Sequence, residues 1–231
     1  DVEEIGEYAF YRCTAMSALR FVPGENLKTV GEWAFSGCSG LTSLIIPESV
    51  ENIGKCAFFG LDNLKYLTMS GELDSKNCMY YVPRLETVTF TGSYIRGRQV
   101  IQDDDGYTHI EEMPGRNAKK IIISEGVSRI EDNAFNDCDY IEQISFPTSL
   151  QIVGRSAFEN CDNLKEIHFP DGLEMIGKSA FQRCTKLAKV ILPDGLKSIG
   201  EEAFQYCREL TVVNLPKSLN AIGKDSFRTC Y

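Results

Sequence analysis

The chain has 231 residues, 43% of them apolar, 25% charged and 10% aromatic, enough apolar material for a continuous core. A formal net charge of -9 argues against a nucleic-acid partner, because binding a phosphate backbone needs clustered Lys and Arg. No stretch approaches the roughly 20 apolar residues that span a membrane, so no membrane insertion of this segment is expected.

Asp1-Val2-Glu3-Glu4 lacks the basic and then apolar opening of a signal peptide. The chain starts inside a unit, at Val2-x-x-Ile5-Gly6, and the pair Ala-Phe then recurs along it. It stands at Ala9-Phe10, Ala34-Phe35 and Ala57-Phe58, again at Ala134-Phe135, Ala157-Phe158, Ala180-Phe181 and Ala203-Phe204, and as Ser226-Phe227. From Phe135 onward the interval is 23 residues each time. A fixed period of this size marks stacked units, none of which can bury its apolar face alone.

The fourth unit is degenerate. Leu85-x-x-Val88-x-Phe90 keeps the apolar pattern, but Cys78-Met79 replaces Ala-Phe. Residues 91–118 break the period. Two β-prone runs flank an Asp-Gly there, which predicts a β-hairpin inserted in a divergent repeat. The regular pattern resumes at Ile121-x-Ile123, and we take residues 1–231 as one repeat domain carrying this insertion.

The segment from Leu164 to Lys186 shows one clean unit. Leu164-x-x-Ile167-x-Phe169 alternates with Glu166 and His168, the period-two pattern of a short strand with one buried face. Pro170 ends the strand and Asp171-Gly172 turns the chain. Leu173 and Ile176 anchor the returning segment, and Gly177 is expected to bend it at positive φ. Ala180, Phe181, Cys184 and Leu187 then fall on one face of a short helix.

The expected fold is therefore α/β: a right-handed solenoid of about 23 residues per repeat, with short parallel strands on its concave face and short helices or 3-10 turns on its convex face. Its last unit ends at Cys230-Tyr231 with no polar cap in view, so a fragment of a longer array is expected.

Seven of the nine cysteines stand three residues after the repeat phenylalanine: Cys13, Cys38, Cys138, Cys161, Cys184, Cys207 and Cys230. In the third unit Leu61 takes that place. A disulfide or a metal ligand could not be exchanged for leucine, whereas a small buried apolar residue could, so free thiols are expected. Cys56 and Cys78 fall off this ladder and are the candidates for greater exposure.

Other chemistry is sparse. Asp103, Asp105 and Glu112 have calcium-loop spacing about Gly106, but Ile101 occupies the first ligand slot, so a solvated turn is expected. His109 and His168 belong to no catalytic constellation, and Arg96-Gly97-Arg98 is only a basic patch. No enzymatic activity, metal or cofactor is expected.

Binding then falls to the outward strand residues. One row reads Arg20, Ile45, Thr68, Thr89, Ile122, Ser145, His168, Ile191 and Asn214, and Tyr66 is the one aromatic of the row before it. Isoleucines Ile45, Ile122 and Ile191 on a solvated sheet mark an interface, or merely suit a strand surface.

The string Ile46-Pro47-Glu48-Ser49-Val50-Glu51-Asn52-Ile53-Gly54-Lys55-Cys56-Ala57-Phe58 resembles the BspA-like leucine-rich repeat. Related strings start at Phe146, Phe169, Leu192 and Leu215. The resemblance implies a surface-exposed or secreted protein that adheres to a host or extracellular-matrix protein. It transfers no ligand residues, because the repeat motif consists of core positions. The expected function is a non-catalytic macromolecule-binding module using the concave face. A structural spacer and a glycan binder stand as alternatives, the last disfavoured because only Tyr66 offers a ring on that face.

Overall fold

The computed structural model describes residues 2–21, 26–73, 78–79, 81–98, 100–102, 108–110 and 116–230. Its strands are numbered in chain order and nearly all run parallel. The first sheet contains β3 (Ser43–Ile45), β5 (Tyr66–Ser70), β6 (Thr87–Thr91), β10 (Lys120–Ile123) and β12 (Gln143–Ser145). A separate ladder holds β14 (Glu166–His168), β16 (Lys189–Ile191) and β18 (Val212–Val213). These are the strands that period-two patterning predicts.

A second set was not expected. Among the described residues, the returning segment of every coil but the one carrying Cys78 is itself a two-residue strand, in two ladders. One joins β1 (Glu4–Ile5), β2 (Thr29–Val30) and β4 (Asn52–Ile53). The other joins β7 (Tyr94–Ile95), β11 (Arg129–Ile130), β13 (Ile152–Val153), β15 (Met175–Ile176), β17 (Ser198–Ile199) and β19 (Ala221–Ile222). Two residues carry too little pattern to register as a strand alone, and their pairing becomes visible only across coils.

The third side corrects the fold expectation: among the described residues there is no helix. Each of these segments is a run of turns with left-handed residues two before and two after the repeat phenylalanine, as at Ser179 (φ 54°) and Arg183 (φ 60°). The backbone donors alternate in direction. Ala180, Gln182 and Cys184 donate three residues back, to Gly177, Ser179 and Phe181. Ser179, Phe181 and Arg183 donate to the next coil, to Glu201, Ala203 and Gln205, at 2.7–2.8 Å.

Spacing explains the preference. Coils joined by strand pairing repeat every ~4.8 Å, whereas an α-helix is ~10 Å across. One helix per coil would have to fan outward, while a turn ladder stacks at the strand spacing and satisfies its donors between coils. Three-residue turns still place Ala180, Phe181 and Cys184 inward, which is why the spacing resembled a helical face.

Inside the coil, the phenylalanines stack. Phe135, Phe158, Phe181 and Phe204 have ring centroids 4.9, 5.0 and 5.4 Å apart in succession, nearly coplanar in orientation. Phe169 meets Phe181 edge-on at 5.6 Å. Beside this column the thiols form a second one. Cys161, Cys184 and Cys207 each donate S–H to the carbonyl of Phe135, Phe158 and Phe181 one coil back, at 3.2–3.3 Å.

None of the nine cysteines is joined in a disulfide. Cys56 and Cys78, expected to be more exposed, are buried. Desolvation pushes the Cys138 thiol up to about 11 and holds Cys161 and Cys184 well above the usual range, so little thiolate forms at neutral pH. A disulfide-exchange reagent on the folded chain should label the exposed Cys13 first and the half-buried Cys230 more slowly. Cys38, Cys138, Cys161, Cys184 and Cys207 should react only on unfolding, and their rapid labelling in the native state would contradict this packing.

The irregular segment departs from the coil later than residue 91, since Tyr94 and Ile95 still pair with Arg129 and Ile130. Beyond it, β8 (Val100–Gln102) and β9 (Thr108–Ile110) are antiparallel, with Val100 opposite Ile110. The Asp-Gly turn, the acidic run Asp103–Asp105 and Glu112 lie outside the described residues.

Candidate binding faces

The outward rows of the first sheet are in register. Ile45 lies opposite Thr68, Thr68 opposite Thr89, Thr89 opposite Ile122, and Ile122 opposite Ser145. His168 and Ile191 are partners in the separate ladder. Arg20 is exposed but outside any strand.

Exposure sorts these residues. Ile45 is 63% exposed and Tyr66, diagonal to it on the next strand, 52%. Thr68, Thr89, Ile122 and Ile191 are only half-buried to solvent view, so two of the three isoleucines expected to be exposed are partly covered. The apolar surface of this face therefore concentrates at Ile45 and Tyr66. Farther along, exposed Val212 lies diagonal to Ile191.

Asn214 is engaged locally. Its Oδ1 accepts from the Leu192 N–H and its Nδ2 donates to the Leu192 carbonyl, both at 2.9 Å, so its amide extends the ladder past the end of β18. His168 Nε2 sits 3.7 Å from Glu166 Oε2, with both side chains mostly in solvent. Charges along the solenoid pair between coils, as in Lys65–Glu86 at 2.9 Å and Lys119–Glu142 at 3.1 Å. At such exposure these pairs contribute little stability; they keep the surface mixed in sign.

One feature escaped sequence reasoning. On the turn side of the first coils, Tyr8, Tyr11, Trp33, Phe59 and Tyr81 form a chain of neighbouring rings. Tyr8–Trp33 centroids are 6.4 Å apart, Trp33–Phe59 5.8 Å and Phe59–Tyr81 6.5 Å. The signal was present, since Tyr8 and Trp33 both stand two residues before the repeat phenylalanine. Phe59 and Tyr81 stand at other positions, one after Phe58 and two after Met79, and on a helix these would have faced a different side from Tyr8 and Trp33.

The sequence matches the family described as "BspA type Leucine rich repeat region", with six copies over residues 1–99 and 114–231. No curated protein matches the chain. Among solved structures, it is similar to a leucine-rich-repeat protein of T. pallidum, at 27% identity over 91% of this chain and 73% of that one, TM-score 0.48. A leucine rich cell surface protein of Faecalibacterium prausnitzii is 24% identical over 99% of this chain and 74% of that one, TM-score 0.49. The pneumococcal vaccine antigen PcpA is 20% identical over 97% of this chain and 64% of that one, TM-score 0.42.

Proposed function

Because the chain belongs to the BspA-type leucine-rich-repeat family, we propose that it is a non-catalytic binding module whose first sheet docks a protein partner. The observation that carries this reading is the exposed Ile45–Tyr66 patch on an otherwise short-chain, in-register sheet face. Folding gains nothing from leaving these two side chains in water, whereas a partner that covers them gains about 25 cal/mol for each Å² of apolar area removed from solvent. Aromatic and aliphatic anchors surrounded by small polar residues are the composition of a binding hot spot.

The partner class is a host or extracellular-matrix protein, and the location is the cell surface or the extracellular space. The buried thiols of the column, Cys138, Cys161 and Cys184, are compatible with that setting, since burial keeps them protonated and out of reach of oxidants.

The test is binding of the purified chain to immobilised fibronectin, laminin and collagen. The double variant Ile45→Asp, Tyr66→Asp should lose about tenfold or more in affinity, with an unchanged melting temperature because both side chains are exposed. Equal binding by the variant and the parent chain would remove the first sheet as the interface and favour a spacer.

A further inference from the structure

The aromatic chain on the turn side has no structural justification of its own. Tyr8, Trp33 and Tyr81 sit at φ of 56–57°, in the left-handed region that bulky side chains rarely occupy. In the later coils the position of Tyr8 and Trp33 is held by Asn133, Ser156, Ser179, Glu202 and Asp225, residues that are small or hydrogen-bond locally. Nor does burial compensate: Tyr8 is 53% exposed and Tyr81 67%. A left-handed ring recurs at Tyr206 (φ 63°), but that one is partly buried, whereas the exposed left-handed rings, Tyr8 and Tyr81, lie in the first coils and point to a ligand.

Between these rings runs an open groove of about 650 Å³, lined by Tyr11, Trp33, Phe59 and Tyr81 together with Arg12 and Asp62. Hydroxyl groups of Thr14 and Ser39 complete its wall. We propose that this groove is a carbohydrate-binding site for a neutral polysaccharide chain lying along the solenoid axis. It lies on a different side from the Ile45–Tyr66 patch and does not depend on the reading given for that patch.

Three observations select this ligand. The groove rings Trp33, Phe59 and Tyr81 follow one another from coil to coil at 5.8 and 6.5 Å, a spacing on the scale of one pyranose, with tilts of 54° and 28° between them, so each of three coils offers one ring to a sugar chain. The polar lining offers both an acceptor-only carboxylate, Asp62, and a donor-only guanidinium, Arg12, the pair that vicinal hydroxyls satisfy. A proline-rich peptide, the other common occupant of aromatic grooves, has no N–H on proline to give Asp62. The chain's net charge of -9 disfavours acidic sugars.

Trp33 is the sole tryptophan, so its emission reports on the groove alone. Titration of the full chain with cellohexaose and chitohexaose should shift that emission saturably with at least one of the two. Phe59→Ala and Tyr81→Ala, at exposed positions, should each weaken binding about fivefold or more by calorimetry without lowering the melting temperature. Ile45→Asp should leave it unchanged. The proposal is overturned if neither sugar shifts the emission at millimolar concentration, if decaproline binds and the sugars do not, or if both alanine variants bind like the parent chain.

Discussion

Truncating Phe181 to alanine is expected to cost about 3–5 kcal/mol of folding stability, measured as the shift in urea unfolding. Phe181 is fully buried, stacked between Phe158 and Phe204 and met edge-on by Phe169. The neighbouring rings are fixed by their own coils, so they cannot move in to fill the space. The loss therefore combines the ring's transfer free energy with a cavity that stays open. A solenoid couples only nearest neighbours, so the same variant should also lower the cooperativity of unfolding by separating the coils on either side. Cys184→Ala, in the adjacent column, removes one S–H···O bond and a smaller volume and should cost about 1 kcal/mol. A Phe181→Ala cost no larger than that of Cys184→Ala would mean that the aromatic column is not the structural axis of the fold.

Gly200→Ala should cost about 3 kcal/mol, at the upper end of overpacking changes. A Cβ there would stand 2.4 Å from the Lys178 nitrogen and 2.5 Å from the Gly177 carbonyl carbon, both backbone atoms of the preceding coil. Gly177 in turn presses on Gly154, and Gly223 on Gly200. The glycines thus form a column at which successive backbones touch, and one methyl group would separate two coils that every other contact holds together. Gly6 is the internal control, because a Cβ there meets nothing within 4 Å. Gly6→Ala should be near neutral. If both variants melt alike, the close approach is not what selects glycine.

This column corrects the reading of Gly177 as a positive-φ bend. Positive-φ glycines do occur, at Gly37, Gly60, Gly92 and Gly126, but none of them is the repeat glycine, and Gly37 and Gly60 lie in the turn runs, where non-glycine residues take the same conformation. The repeat glycine is required by the neighbouring coil rather than by its own dihedral angles. A similar distinction applies to the thiols. Their inward position was legible from the exchange of Cys for Leu61, but the S–H···O bond to the preceding coil was not, since it joins residues 26 positions apart.

What the sequence determined by itself was the period, its phase and the inward set. Ala180, Phe181, Cys184 and Leu187 are buried as the spacing predicts, and strand β14 with its inward Ile167 follows from the alternation with Glu166 and His168. These properties reside within one unit, where side-chain polarity alone decides which way a residue faces. The tertiary structure decided what lies between units: turns instead of helices, a second sheet made of residue pairs, a glycine column, and rings gathered from Tyr8 to Tyr81. Each of these depends on a neighbour about 23 residues away brought to strand-pairing distance, and a single unit contains no trace of that neighbour's geometry.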